Sequence, residues 1–155
     1  YEVRYFDGIS RIDSLDRLCI NGTKVILLEL GSIPFTSDVI DEIMDLNYYG
    51  YTVVLAHIER YTKMRGFSSI KQLVVSNVVY AQCNASSLLK GPFRRVANGL
   101  LKEGLVSAVA SDMHSVEERP PQIKEAMIKI EEKFGVYKIN KLLRKTEKLY
   151  ELMIH

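Results

Sequence analysis

Thr52-Val53-Val54-Leu55-Ala56, followed directly by His57, is the stretch on which the fold reading turns. The run is β-branched and aliphatic with no polar alternation, the pattern of a strand buried on both faces of a parallel sheet. Comparable runs recur at Val25 to Leu28, Val78 to Cys83 and Ser107 to Ala110, and Tyr1 to Phe6 reads as a further strand. Between them lie helical patterns: Val39, Ile40, Ile43 and Met44; Ile70, Leu73 and Val74; Phe93, Val96, Leu100 and Leu101. A repeated strand and helix unit predicts an α/β fold of parallel strands with outer helices, doubly wound or closed into a barrel.

Punctuation supports the same frame. Ser37 is the expected N-cap of the first helix, with Gly50 and Gly104 as helix stops. Pro121 falls in the first turn of an amphipathic helix carrying Ile123, Met127, Ile130 and Phe134, which Gly135 should end. From Val136 to Ile154 the pattern is helical, with a break expected near Thr146 as an N-cap. A length of 155 residues suits one domain, so residues 1–155 are read as a single unit. About five strands are visible, whereas a closed barrel of such units commonly has about eight. The chain is therefore expected to lack an N-terminal portion.

Composition narrows the function classes. The chain is 47% hydrophobic and 26% charged, the balance of a folded protein. A net charge of +2, with both signs spread along the chain, gives no reason to expect nucleic acid as a partner. No apolar run is long enough for membrane insertion and no leader pattern is visible, so a cytoplasmic location is expected. Cys19 and Cys83 have no paired spacing and read as free thiols. Neither has Arg six positions on, where Val25 and Leu89 stand, so a cysteine-dependent phosphatase loop is not expected.

Polar residues follow the apolar runs at corresponding places: Glu29, His57, Asn84, then Asp112 and His114. Parallel α/β folds gather their sites at the carboxyl ends of strands. Imidazole and carboxylate donors together suit manganese, zinc or iron, and several such groups imply a centre with more than one ion. In an extended segment Asp112 and His114 share a face. Arg60 and Arg119 lie just beyond these groups, and a guanidinium fork suits phosphate oxygens. Taken singly, each residue also has an ordinary role. His57 could be a hydrogen-bonded core histidine, Asn84, Ser111 and Asp112 could cap helices or close turns, and the arginines could pair with Glu59 and Glu118. Convergence at successive strand ends favours a site. Arg94 and Arg95 read as a solvated helix face, Tyr48, Tyr49 and Tyr51 as packing at a helix end, and His155 has no role.

The segments Val54-Leu55-Ala56-His57-Ile58-Glu59-Arg60-Tyr61 and Ala110-Ser111-Asp112-Met113-His114, followed by Arg119-Pro120-Pro121, resemble the bacterial capsular polysaccharide-type tyrosine-protein phosphatases of the PHP (polymerase and histidinol phosphatase) superfamily. Glu2, Leu28-Glu29 and Asn84-Ala85-Ser86-Ser87 fall in the same order. The resemblance implies the C-terminal part of a distorted (β/α)7 PHP barrel and a trinuclear, usually manganese-loaded centre. It implies Glu2, Glu29, His57, Asp112 and His114 as metal ligands, and Arg60 and Arg119 at the substrate phosphate. The implied reaction is hydrolysis of phosphotyrosine by metal-activated hydroxide, on the tyrosine-rich tail of a bacterial tyrosine kinase that controls capsule or exopolysaccharide synthesis. The family's opening His-x-His motif is expected to lie before Tyr1, so this chain should bind manganese weakly and hydrolyse little or nothing. Lys145-Thr146 departs from an expected Asn-Pro-like turn. Two alternatives stay open: a phosphatase for histidinol phosphate or another small phosphomonoester, and a noncatalytic kinase-binding module.

Overall fold

The structure, a computed structural model, describes residues 2–112 and 122–154. Its elements in chain order are β1 (Val3–Arg4), β2 (Val25–Glu29), α1 (Ser37–Tyr48), β3 (Thr52–Leu55), α2 (Phe67–Val75), β4 (Val79–Asn84), α3 (Ala85–Leu89), α4 (Arg94–Glu103), β5 (Ala108–Ala110) and α5 (Ile123–Ile154). Short 3-10 turns stand at Ile9–Arg11, Leu15–Leu18 and Ile58–Arg60. The strands form one parallel sheet in the order β1-β2-β3-β4-β5, so each strand lies beside its sequence neighbour. This is the α/β arrangement expected from the repeat, one strand added per helical crossover.

The core explains why these runs are strands. Ile26, Leu28, Val53, Leu55 and Ala81 are fully buried, and α1 and α2 cover them through Val39, Ile43, Leu46, Ile70 and Val74. Val25 and Val54 join a second, smaller cluster with Leu149 of α5. Apolar contacts on both sheet faces leave no place for polar alternation in β2 and β3, which is why those runs are continuous. Burying each such side chain contributes roughly 1.5 to 3 kcal/mol.

Several boundaries differ from expectation. Thr36, not Ser37, caps α1, its side chain accepting from the Val39 amide. Met44 is half exposed; the buried stripe runs through Val39, Glu42, Ile43 and Leu46 instead. Glu42 is tolerated there because it accepts hydrogen bonds from the Tyr5 hydroxyl (3.0 Å), the Gly8 amide (2.7 Å) and Arg11 (3.3 Å), tying the segment after β1 to α1. Gly104 ends α4 in the left-handed region at φ 80°, with its amide on Leu100 and Leu101 carbonyls. Gly66, at φ 85°, has no room for a side chain, since a Cβ would lie 2.2 Å from the Phe35 carbonyl oxygen. That contact joins the loop after β3 to the loop after β2.

Helix α5 is interrupted at Gly135 (φ 80°, ψ 167°), where a helix end was expected. The expected break near Thr146 does not occur. Its hydroxyl donates to the Leu142 carbonyl within the helix (3.1 Å) and lies 2.9 Å from the Ser107 carbonyl, anchoring α5 at the foot of β5. Tyr48 and Tyr49 do not pack a helix end but lie exposed, edge to face with each other, while the Tyr51 hydroxyl donates to Asp16. Arg94 and Arg95 are exposed as expected. Pro121 lies outside the described residues.

Candidate metal centre

Glu2 immediately precedes β1, Glu29 is the last residue of β2, and His57 follows β3, so three adjacent strands each contribute one group. Their ligand atoms all lie within 4.8 Å of one another. His57 Nε2 is 3.3 Å from Glu2 Oε2 and 3.5 Å from Glu29 Oε1. The ring is buried, while both carboxylates keep about 30% of their surface. Glu2 lies at the opening strand as expected, and because Val3 pairs with Leu28 and Arg4 with Glu29, the start of β1 stands level with the carboxyl end of β2.

His57 is held from three sides. Its backbone is left-handed (φ 36°, ψ 57°), a conformation seldom adopted by non-glycine residues and costing about 1 to 3 kcal/mol where it is enforced. Its amide donates to Gln82 Oε1 at 2.6 Å. Its Nδ1 faces the Tyr61 hydroxyl at 3.3 Å, and that oxygen also accepts from the Leu30 amide at 3.1 Å. Burial, then the nearby Glu29 charge, pushes the Tyr61 phenol up to about 12, against the opposing effect of the Leu30 hydrogen bond. Tyr61 therefore stays neutral and fixes the imidazole plane. Orienting a histidine through its second nitrogen is how proteins aim the first one at a metal.

Asp112 stands in a neighbouring group. Its Oδ2 accepts from Asn84 Nδ2 at 2.9 Å and from Arg60 Nη2 at 3.2 Å. Arg60 thus pairs with Asp112, and not with Glu59 as the ordinary reading had it. Glu59 is fully buried, its Oε1 accepting from the Ser87 hydroxyl (2.8 Å) and the Asn84 amide (3.4 Å). Asp112 is also left-handed, at φ 48°, so the extended geometry that would place residues 112 and 114 on one face does not hold at Asp112. His114 and Arg119 lie outside the described residues. Between Arg60, Asn84, Ser87, Lys90, Phe93 and Asp112 opens a hollow of about 310 Å³. Two larger hollows, of about 540 and 560 Å³, line α4 elsewhere and hold none of the clustered carboxylates.

Both thiols are silent. Burial, reinforced by Glu59, holds Cys83 well above its ordinary value, and burial likewise raises Cys19. Neither supplies a thiolate near neutral pH.

The donor set fits a divalent cation. One Nε2–H can serve only one of the two carboxylates well, and two carboxylates this close repel by on the order of 3 kcal/mol at an effective dielectric near 20, before solvent screening. A cation among them removes both conflicts. Two carboxylates with one imidazole suit manganese, zinc or iron rather than a thiolate-selected ion. The fold and site define a parallel α/β protein with a carboxylate and imidazole cluster whose donor set suits a metal ion, and with an Arg60–Asp112 pair at the following strand ends.

A family model described as capsular polysaccharide synthesis, CpsB/CapC, matches residues 1–150, and the chain belongs to that family. The tyrosine-protein phosphatase CpsB of Streptococcus agalactiae serotype III (strain NEM316) is 33% identical over 131 residues, covering 79% of this chain and 54% of that protein. CpsB of Streptococcus pneumoniae is 26% identical, over 91% of this chain and 62% of its own length. YwqE of Bacillus subtilis (strain 168) is 32% identical, over 86% and 54%. The chain spans about half the length of the curated relatives it matches. A solved chain from the crystal structures of YwqE from Bacillus subtilis and CpsB from Streptococcus pneumoniae, described as unique metal-dependent tyrosine phosphatases, superposes with a TM-score of 0.77 at 25% identity, covering 97% of this chain and 63% of that one. Among the described residues no helix is long and apolar enough to cross a membrane.

Tyr61 and Gln82 both hold His57, and no motif in the sequence assigns either of them a role. Tyr61 could have been found, since a residue four after His57 returns to it across a single turn. Gln82 offered one signal, a polar side chain inside an otherwise apolar strand.

Proposed function

We propose that this chain carries part of the active site of a metal-dependent protein-tyrosine phosphatase. The observation that carries the reading is the convergence of ligand atoms of Glu2, Glu29 and the buried His57 within 4.8 Å, with Arg60 three residues on from His57 and paired with Asp112. Glu2, Glu29 and His57 would hold a divalent metal, manganese by family resemblance, with Asp112 and His114 completing the ligands this chain offers. A metal bound there supplies Lewis acidity toward phosphate oxygens and a hydroxide nucleophile near neutral pH.

The chain's own residues do the rest. Tyr61 and the Gln82 side chain hold His57 so that Nε2 faces the two carboxylates. Arg60, with 39% of its side chain exposed at the mouth of the 310 Å³ hollow, offers paired donors to a phosphoryl group, and Lys90 adds a second cation on the same wall. Phe93 gives that hollow an aromatic face suited to a phenyl ring. Arg119 is assigned to the same phosphate. The substrate is then a phosphotyrosine protein, and by family resemblance the tail of a bacterial tyrosine kinase.

A direct test compares kcat/KM for a phosphotyrosine peptide and for histidinol phosphate, with manganese present, in this chain joined to the remaining length of its relatives. Preference for the peptide supports the reading; preference for histidinol phosphate replaces it with a small-molecule phosphatase.

A further inference from the structure

The two parts of the site are joined by hydrogen bonds that all run one way. The His57 amide donates to Gln82 Oε1 (2.6 Å), Gln82 Nε2 donates to Asn84 Oδ1 (2.8 Å), and Asn84 Nδ2 donates to Asp112 Oδ2 (2.9 Å). The ends fix this direction. A backbone amide can only donate and an ionised carboxylate can only accept, so flipping either side-chain amide sets two donors or two acceptors against each other. Gln82 and Asn84 are 6% and 2% exposed and two apart on β4, hence on one face of the strand. Water therefore cannot readily substitute for a lost link, and leaving such a group unpaired costs about 1 to 3 kcal/mol. The residues at the two ends, His57 at φ 36° and Asp112 at φ 48°, are two of the three non-glycine residues with positive φ among those described. Strained backbone persists where surrounding bonds over-determine it, and here one chain of bonds reaches both.

We propose that Gln82 and Asn84 are positioning residues, a directional amide relay that sets Asp112 relative to His57 and so couples the metal-facing group to the Arg60 side of the site. The relay rests on the proposed function only for its consequence, that Asp112 and His57 serve one centre. It predicts that a change at Asn84 is felt at His57 through Gln82.

The experiment is amide NMR of the ¹⁵N-labelled chain, followed by manganese titration of the same samples. In the parent the short bond to Gln82 should place the His57 amide proton downfield. N84A and the near-isosteric N84D should both move it upfield by more than a linewidth, as Q82A does directly, while N98A, at a half-buried α4 asparagine outside the relay, leaves it in place. N84D should also weaken manganese binding about 10-fold or more. The exchange N84D/D112N, which reverses the last link while conserving charge, should return the His57 resonance toward its parent position without restoring the metal. A His57 amide that moves in Q82A but stays unmoved in both Asn84 variants overturns the relay. If it moves as expected while no variant alters manganese binding, the relay stands and the metal reading fails. Should N84A not fold, N84D alone decides the first point.

Discussion

The Glu2, Glu29 and His57 group and the Asp112, Asn84 and Arg60 group lie at neighbouring strand ends, yet they are finished differently. In the first, two carboxylates face one imidazole nitrogen, and among the described residues no Lys or Arg forms an ion pair with either. In the second, the carboxylate already receives an amide and a guanidinium. One group is short of positive charge and the other has supplied its own. On the proposed function the first group takes a cation, Asp112 adds a ligand to the same centre, and an anion bound in the second group draws Arg60 away from Asp112.

Breaking the first group should have the largest effect. H57A removes the only nitrogen donor among the described ligands and should abolish measurable manganese binding by isothermal titration, with R60A as the contrasting variant that leaves most of it intact. Next, E2Q and E29Q should each weaken manganese binding about 10-fold while raising the thermal unfolding midpoint of the metal-free protein slightly, because each relieves like-charge repulsion. Opposite signs from one substitution would sharpen the contrast, whereas lower stability in both variants would show the carboxylates to be ordinary structural partners.

R60A should reduce affinity for inorganic phosphate or a phosphotyrosine peptide roughly 10-fold, with R60K recovering only part, since a point charge cannot make the paired contact. The smallest expected effect lies in alkaline solution. Tyr61 and Tyr5 are both raised to about 12 in the folded protein, Tyr61 by burial and Tyr5 by burial followed by its bond to Glu42. Above about pH 10 the unfolded chain releases these protons and the native one retains them. Stability contributed by the neutral phenols is complete below pH 10 and falls as pH rises toward 12. Denaturant midpoints measured from pH 9 to 12 should decline, and Y61F should flatten the decline.

Much of the scaffold was readable because burial on both sheet faces writes itself as unbroken apolar runs such as Val25 to Leu28 and Thr52 to Ala56. Helix ends marked by Gly104 and Gly135 were equally plain, since few other residues take those backbone angles. Thr146 misled because a hydroxyl that caps a helix start can also bond back within a helix, and only the approach of β5 decides between them. At the site, Glu29 and His57 were visible from their places after strands, and Glu2 came through family resemblance. The relay through Gln82 was not, because its partners lie 25 and 2 residues away and only the sheet register brings all three together. Asp112 was found as a polar group, but its left-handed backbone is set by tertiary contacts that no local pattern records.

A divalent-cation site made by Glu2, Glu29 and His57 would be visible directly in a crystal. The experiment is anomalous diffraction from crystals of this chain grown with manganese. The expected result is a manganese peak bounded by both carboxylates and His57 Nε2, lost in H57A. A peak elsewhere on the molecule, or none at saturating manganese with His57 still resting against the two carboxylates, would contradict it.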